Sequence, residues 1–346
     1  MRFGTTTPSA DGANASRCWT PWRPPVSDRP GATVSWGTGA SRGNFHRVAF
    51  GPRTRATRRN WLARVRTIWR YPVKSMAGER LEATEVTDRG VAGDRAWAVR
   101  DEVRGGIGGA RKIAGLMKLA AEYPATPSAQ DSSPATIRFE DGSTGNTGDE
   151  GIHQRLSDAL DHPVTLWPLV AAENADHYKR GAPDSADMET ELRSLFGREP
   201  DEPLPDLGVF PPELLANECP PGTYFDAFPL LLLTSNSLAS MQATSADSRF
   251  DVRRFRPNLL VDDPETPDPF PESAWEGRRV RIGSAILRME IGCPRCVMVT
   301  RGFQELPKDP KVMRALVSEN RGNLGLYAAV EEAGRIHRGD ELEWLD

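Results

Sequence analysis

Cys293 and Cys296, spaced as Cys-Pro-Arg-Cys, put two sulfurs at a turn between a run with strand character, Ala285 to Ile291, and the β-prone run Val297 to Thr300. The thiolate is the reactive form of cysteine, and the positive charge of Arg295 beside Cys296 is expected to lower the thiol pKa and favour it. A thiolate selects soft or redox-active metals over magnesium or calcium. A structural zinc site needs four ligands, and the other cysteines, Cys18 and Cys219, stand alone, which counts against zinc. A thioredoxin-type dithiol lies between a strand and a helix, whereas Val297 to Thr300 is expected to continue as strand. A buried structural pair stays open on the cysteines alone.

Three other short motifs set a cation or donor beside a turn-forming residue: Tyr71-Pro72-Val73-Lys74-Ser75, Gly93-Asp94-Arg95 and Phe255-Arg256-Pro257-Asn258. That chemistry suits an oxyanion such as phosphate, which arginine grips with two parallel bonds and lysine attracts as a point charge. Each motif alone is weak, because cations near turns are usually just solvated.

In this order, and with Cys-Pro-Arg-Cys last, the motifs resemble the MOSC superfamily. The resemblance is to its two-domain form, typified by the mitochondrial amidoxime-reducing component and its bacterial counterparts, and covers about residues 62 to 346. It implies a β-rich α+β fold, an N-terminal β-barrel-like domain followed by a MOSC β-barrel domain with a few helices. It also implies a molybdenum cofactor whose metal is bound by Cys296, with Arg295 beside it and Cys293 a packed thiol without a ligand role. Lys74, Ser75, Arg95 and Arg256 would hold the pterin and its phosphate, Asn258 would shape the same wall, and Tyr327 would stand near the metal. Similar enzymes reduce small N-hydroxylated compounds, with Arg295 or Tyr327 available to polarise or protonate the departing oxygen. One departure is Asp226-Ala227-Phe228, where relatives use hydroxyl side chains; an aspartate there would repel phosphate unless backbone N–H groups take over.

The elements that must position these residues read as follows. Residues 1–60 carry ten arginines against Asp11 and Asp28 and are rich in Gly, Pro, Ser and Thr, so they read as a disordered basic tail or an over-extended start of translation. With a whole-chain charge of −4, the remainder carries −12, too acidic for an obvious nucleic-acid binder. Residues 62–170 read as the N-terminal barrel domain, with strands at Val65 to Trp69, Leu81 to Val86, Ala96 to Arg100, Thr136 to Phe139 and Val164 to Leu169, although Ile68 breaks the alternation of the first. Residues 171–212 form an acidic, proline-rich linker or flap with one short helix, Met188 to Phe196. Residues 213–346 form the second domain: strands at Phe228 to Leu233, Asn258 to Val261, Val280 to Ile282, Ala285 to Ile291, Gly325 to Val330 and Glu341 to Trp344, and helices capped by Thr234 or Ser235 and starting near Pro310.

Other chemistry is excluded or set lower. No apolar run approaches the roughly 20 residues of a membrane span, and the cysteine usage suits a reducing, cytoplasmic setting. Gly105-Gly106-Ile107-Gly108-Gly109 is followed by no Gly-Lys-Ser/Thr and reads as a flexible hairpin turn. No Rossmann fingerprint, haem motif or iron–sulfur array is present, so electrons are expected from a separate ferredoxin, cytochrome or flavin reductase. A carrier using a Cys296 persulfide is the alternative function. Pyridoxal phosphate on Lys74 requires a lowered amine pKa, for which the sequence offers no cause. The oligomeric state and physiological substrate are not encoded legibly.

Overall fold

The computed structural model describes residues 63–263 and 266–345. The basic stretch 1–60 and Cys18 therefore lie outside the described residues. The described residues fall in one compact unit.

An eight-stranded sheet organises it. In spatial order its strands are Leu342–Trp344, Arg279–Ile282, Ala285–Pro294, Asn323–Glu332, Leu230–Thr234, Leu259–Asp262, Arg64–Arg70 and Glu79–Leu81. Neighbours pair antiparallel except Leu230–Thr234 with Leu259–Asp262, which run parallel. A parallel pair needs a crossover, supplied by the helix Ser235–Thr244, whose first turn is capped as expected: Thr234 Oγ1 accepts from the Ser237 N–H. Strand Arg64–Arg70 explains its own broken alternation, because the register shifts between Val65 and Thr67. A bulge shifts the alternation by one residue, so Val65 and Ile68, three apart, enter the same core, while Trp69 and Arg70 are buried as well.

Three smaller three-stranded sheets complete the β structure. One joins Val164–Pro168, Trp97–Asp101 and Gly106–Ile107, a second Ala120–Glu122, Thr136–Arg138 and Thr144–Asn146, and a third Gly334–His337, Ala83–Thr87 and Gly90–Val91. Alternating residues of the first two meet in one core around Val99, Leu116, Ile137 and Leu156. The large sheet buries Ile68, Leu232, Leu259 and Leu287 in a second. A third lies among the helices, around Phe255, Met313 and Leu316.

Two local expectations give way. Val297–Thr300 is a 3₁₀ helix, not a strand. The preceding strand loses its partner at Pro294, which pairs with Asn323, where the neighbouring strand begins. Local bonds, Val299 N–H to Cys296 O and Arg301 N–H to Met298 O, satisfy the backbone instead. The turn also sends Met298 into the first core and Val299 into the third, which a flat strand ending there would not reach. The glycine run is likewise mostly not a turn. Gly106–Ile107 is strand, and a Cβ on Gly106 would lie 2.3 Å from the Gly181 nitrogen. Glycine is required there by the close approach of a second backbone.

The helix Met188–Phe196 forms where expected, with Asp187 accepting from the Thr190 N–H at its start and Gly197 in the left-handed region at its end. Among the described residues no helix is long and apolar enough to cross a membrane.

Candidate functional site

Cys296 ends the extended segment and caps the 3₁₀ turn, which leaves it half-buried, whereas Cys219 and Cys293 are buried. Its surroundings include Tyr327, Asp226 and Arg111, which with it line a cavity of about 520 Å³, a size suited to a small molecule. Tyr327 comes from the neighbouring strand, where it pairs with Leu231 and its ring packs 5.3 Å from that of Phe228. Burial raises its hydroxyl well above the usual range, and the nearby Cys293 and Asp226 reinforce the rise, so it is a neutral phenol at physiological pH.

Arg295 takes a different position from the one its sequence neighbourhood suggests. Its Nη1 donates to Cys293 Sγ at 3.0 Å and its Nη2 to the Phe255 carbonyl at 2.7 Å. Tyr327 lies close enough to the same Cys293 thiol for each to perturb the other. Burial nevertheless pushes the Cys293 thiol up, against the pull of Arg295, so it stays a thiol. The expected direct service of Arg295 to Cys296 is thus replaced by contact with Cys293. The backbone explains it: Arg295 N–H bonds Gly322 O, which ties this residue to the start of the neighbouring strand.

Lys74 and Ser75 lie behind Gly109, which lines the cavity. Lys74 Nζ, buried, donates to the Tyr224 carbonyl at 3.0 Å and pairs with Asp226 at 2.5 Å. Burial pushes the ammonium down, but Asp226 and other acidic neighbours outweigh it and the net shift is upward. A lysine held protonated is the reverse of what a Schiff base requires. Asp226, half exposed on the cavity, is held well below the usual carboxylate range by Lys74 and Arg111, which overcome its desolvation. Its negative charge therefore does not stand alone. Ser75 Oγ accepts from the Ala110 N–H at 3.0 Å, anchoring the end of the glycine run.

Arg95 and Arg256 converge on Tyr71, with guanidinium carbons 5.3 and 4.1 Å from the ring centroid. Burial pushes Arg256 down to about 10. Ser75, Arg95 and Arg256 all have left-handed backbones, with φ of 68°, 48° and 54°. Such conformations in residues other than glycine are uncommon and cluster at functional sites. Arg95 and Arg256 open onto smaller cavities, not onto the one lined by Cys296. Asn258 is fully buried, its Oδ1 accepting from Leu231 N–H at 3.2 Å and its Nδ2 reaching Trp69 O at 3.4 Å, so it bridges strands.

Sequence reasoning passed over Arg111, Glu218 and the ring of Tyr71. Arg111 pairs with Glu218 and lines the Cys296 cavity. Its signal is present in the sequence, since Arg111 and Lys112 come just past the glycine run, after Ala110. Among the described residues no group of three or more His, Cys, Asp or Glu side chains could hold a metal ion.

Residues 62–161 match the family model described as MOSC N-terminal beta barrel domain, and residues 221–343 that described as MOSC domain. Mitochondrial amidoxime-reducing component 1 of Danio rerio is 31% identical over 128 residues, 34% of this chain and 38% of that protein. Mitochondrial amidoxime reducing component 2 of Homo sapiens is 29% identical over 132 residues, again 34% of this chain and 38% of the relative. The chain thus aligns with well under half the length of either relative. The solved YUAD protein of Bacillus subtilis is 12% identical with a TM-score of 0.38, covering 81% of this chain and 93% of that one.

Proposed function

The chain belongs to the MOSC superfamily in its two-domain form, and from that premise we propose that it is a molybdenum-cofactor-dependent oxidoreductase. Its substrates are small N-hydroxylated compounds, and its electrons come from a separate ferredoxin, cytochrome or flavin reductase. The observation that carries the reading is the placement of Cys296 as the one cysteine, among the described residues, that is not buried, on a cavity it shares with Tyr327, Asp226 and Arg111.

The residues suit an anionic cofactor bound through sulfur. Among the buried side-chain atoms without a hydrogen-bond partner is Nη2 of Arg256, which lines a small cavity. Leaving a buried charged donor unpaired is costly, and a phosphate-bearing ligand would supply the missing acceptor. Cys296 would hold the metal, Lys74, Arg95 and Arg256 the anionic pterin, and Ser75 would fix the loop beside them. When bound, the cofactor supplies the two-electron removal of an oxygen atom from the substrate.

The chain's own part is to bind, orient and donate a proton. Tyr327, a neutral phenol on the cavity wall, would donate to the departing oxygen. Arg295 does not line that cavity, and its role is to hold Cys293, beside which Tyr327 stands. Asp226, paired with Lys74 and near Arg111, presents a carboxylate to a protonated amidine nitrogen.

The test is molybdenum and pterin content, with turnover of an amidoxime, for wild type and Cys296→Ala purified from a host that makes the cofactor. Stoichiometric metal and turnover in the wild type, both lost in the variant, are expected. Equal metal in both proteins, or a Cys296 persulfide with no pterin, would overturn the reading.

A further inference from the structure

The cavity has two kinds of lining. Cys296, Tyr327, Asp226 and Arg111 give it polar, reactive groups, while Met188, Leu192, Leu195 and Phe196 contribute only apolar side chains. Those four recur at helical spacing along Met188–Phe196, so they form a single stripe. In a surface helix such a stripe normally packs into a core. Here none of the four belongs to any of the buried core clusters, and Met188 is 64% exposed. The stripe faces the cavity instead, and Phe210 and Leu214 extend it.

The helix is held in that place from two sides. Ion pairs tie its region to the stretch around the glycine run: Arg104 to Asp184 at 2.6 Å and Lys112 to Glu191 at 2.7 Å. At its other end, Gly197 lies against Val297, where a Cβ would come 3.4 Å from the Val297 Cα, one residue after Cys296. The stripe is therefore anchored beside the sulfur. It also falls in residues 162–220, which neither family model matches. Lys74, Ser75, Arg95 and Arg256 do not line this cavity, so the groups assigned to the pterin lie apart from the apolar stripe.

We propose that the Met188–Phe196 stripe is the specificity surface of the enzyme. It selects N-hydroxylated amidines and related N-oxygenated compounds that carry an extended alkyl or aryl body, with the polar head at Cys296 and the hydrocarbon along the helix. This rests on the reductase reading above. Burying each methylene on such a wall strengthens binding by a factor of about two to four.

The experiment uses the cofactor-loaded full chain and straight-chain amidoximes from acetamidoxime to octanamidoxime. Kd is measured by calorimetry without an electron donor, and kcat/KM with reduced viologen. The expected result is a Kd that falls about two- to four-fold per methylene, with kcat/KM rising in parallel. Leu192→Gln flattens that slope, and so does Met188→Gln, whose exposed side chain makes a folding defect an unsuitable explanation. Val103→Gln, at an exposed apolar residue outside the cavity lining, keeps the slope. Turnover of acetamidoxime with no dependence on chain length would overturn the inference and leave the reductase reading intact. No turnover of any member by protein with stoichiometric cofactor would overturn the reductase reading, and this inference with it.

Discussion

Arg295 Nη1 lies 3.0 Å from Cys293 Sγ, so the guanidinium of the Cys-Pro-Arg-Cys motif serves its buried cysteine rather than its half-exposed one. Tyr327 lies close enough to the same thiol to perturb it. Cys293, which the resemblance leaves without a ligand role, thereby couples the two groups considered for proton donation and charge stabilisation.

Cys293→Ala is accordingly expected to keep metal stoichiometry while lowering kcat about ten-fold, with Cys293→Ser, which retains an acceptor, restoring most of it. Leaving Arg295 Nη1 without an acceptor should cost about 1–3 kcal/mol in denaturant unfolding. A variant with wild-type kcat and stability would remove the coupling role.

The Lys74–Asp226 pair gives a dependence on pH. The Asp226 carboxyl is depressed in the folded protein, so its contribution is present above the unfolded value of about 3.9 and is lost as pH falls below it. Lys74 is raised, so its contribution is present below about 10.4 and is lost as pH climbs past its folded value. Because Asp226 is half exposed, solvent screens the pair, and Asp226→Asn is expected to cost only about 1–2 kcal/mol at pH 7. The loss should shrink toward zero as the wild type is acidified through pH 4 to 3. A variant equally destabilised at pH 3 and pH 7 would contradict the charge argument.

Arg256 is a residue whose stability cost and ligand role point in opposite directions. It is buried, depressed to about 10 and has an unpaired Nη2. Arg256→Met removes that desolvated charge, at the loss of a bond to the Met76 carbonyl and the stacking on Tyr71. Stability of the cofactor-free protein should therefore change by less than about 1 kcal/mol, while pterin retained through gel filtration falls at least ten-fold. Destabilisation by several kcal/mol, with pterin retained, would mark Arg256 as structural only.

Gly325 fixes the approach of Tyr327 to the site. Its φ is +83°, and a Cβ there would lie 2.7 Å from the Leu232 carbonyl oxygen. Gly325→Ala is expected to cost about 2–4 kcal/mol through backbone strain and this clash, read by thermal unfolding. Wild-type melting would show that the strand accommodates the methyl group.

How far the site could be read in advance differs from residue to residue. The helix Met188–Phe196 and its cap by Asp187 depend on neighbours within one turn, and their boundaries were legible. Val297–Thr300 was misread because strand propensity is weaker than the absence of a pairing partner and the pull of two separate cores. Arg111 stayed hidden because its partner Glu218 and the nearby Asp226 are more than a hundred residues away in sequence.

The sequence by itself determined the chemical types at the site and the local elements that carry them: the thiol pair at a strand end, cations at turns, a β-rich chain with few helices. These follow from short-range physics, namely turn geometry, capping and apolar periodicity, which adjacent residues settle among themselves. Only the tertiary structure decided which cysteine each cation faces, that Asp226 is neutralised by Lys74, and that the apolar stripe of Met188–Phe196 lines a cavity instead of a core. Those outcomes depend on charges and surfaces brought together from distant parts of the chain, where burial and desolvation set the energies and sequence spacing carries no information about them.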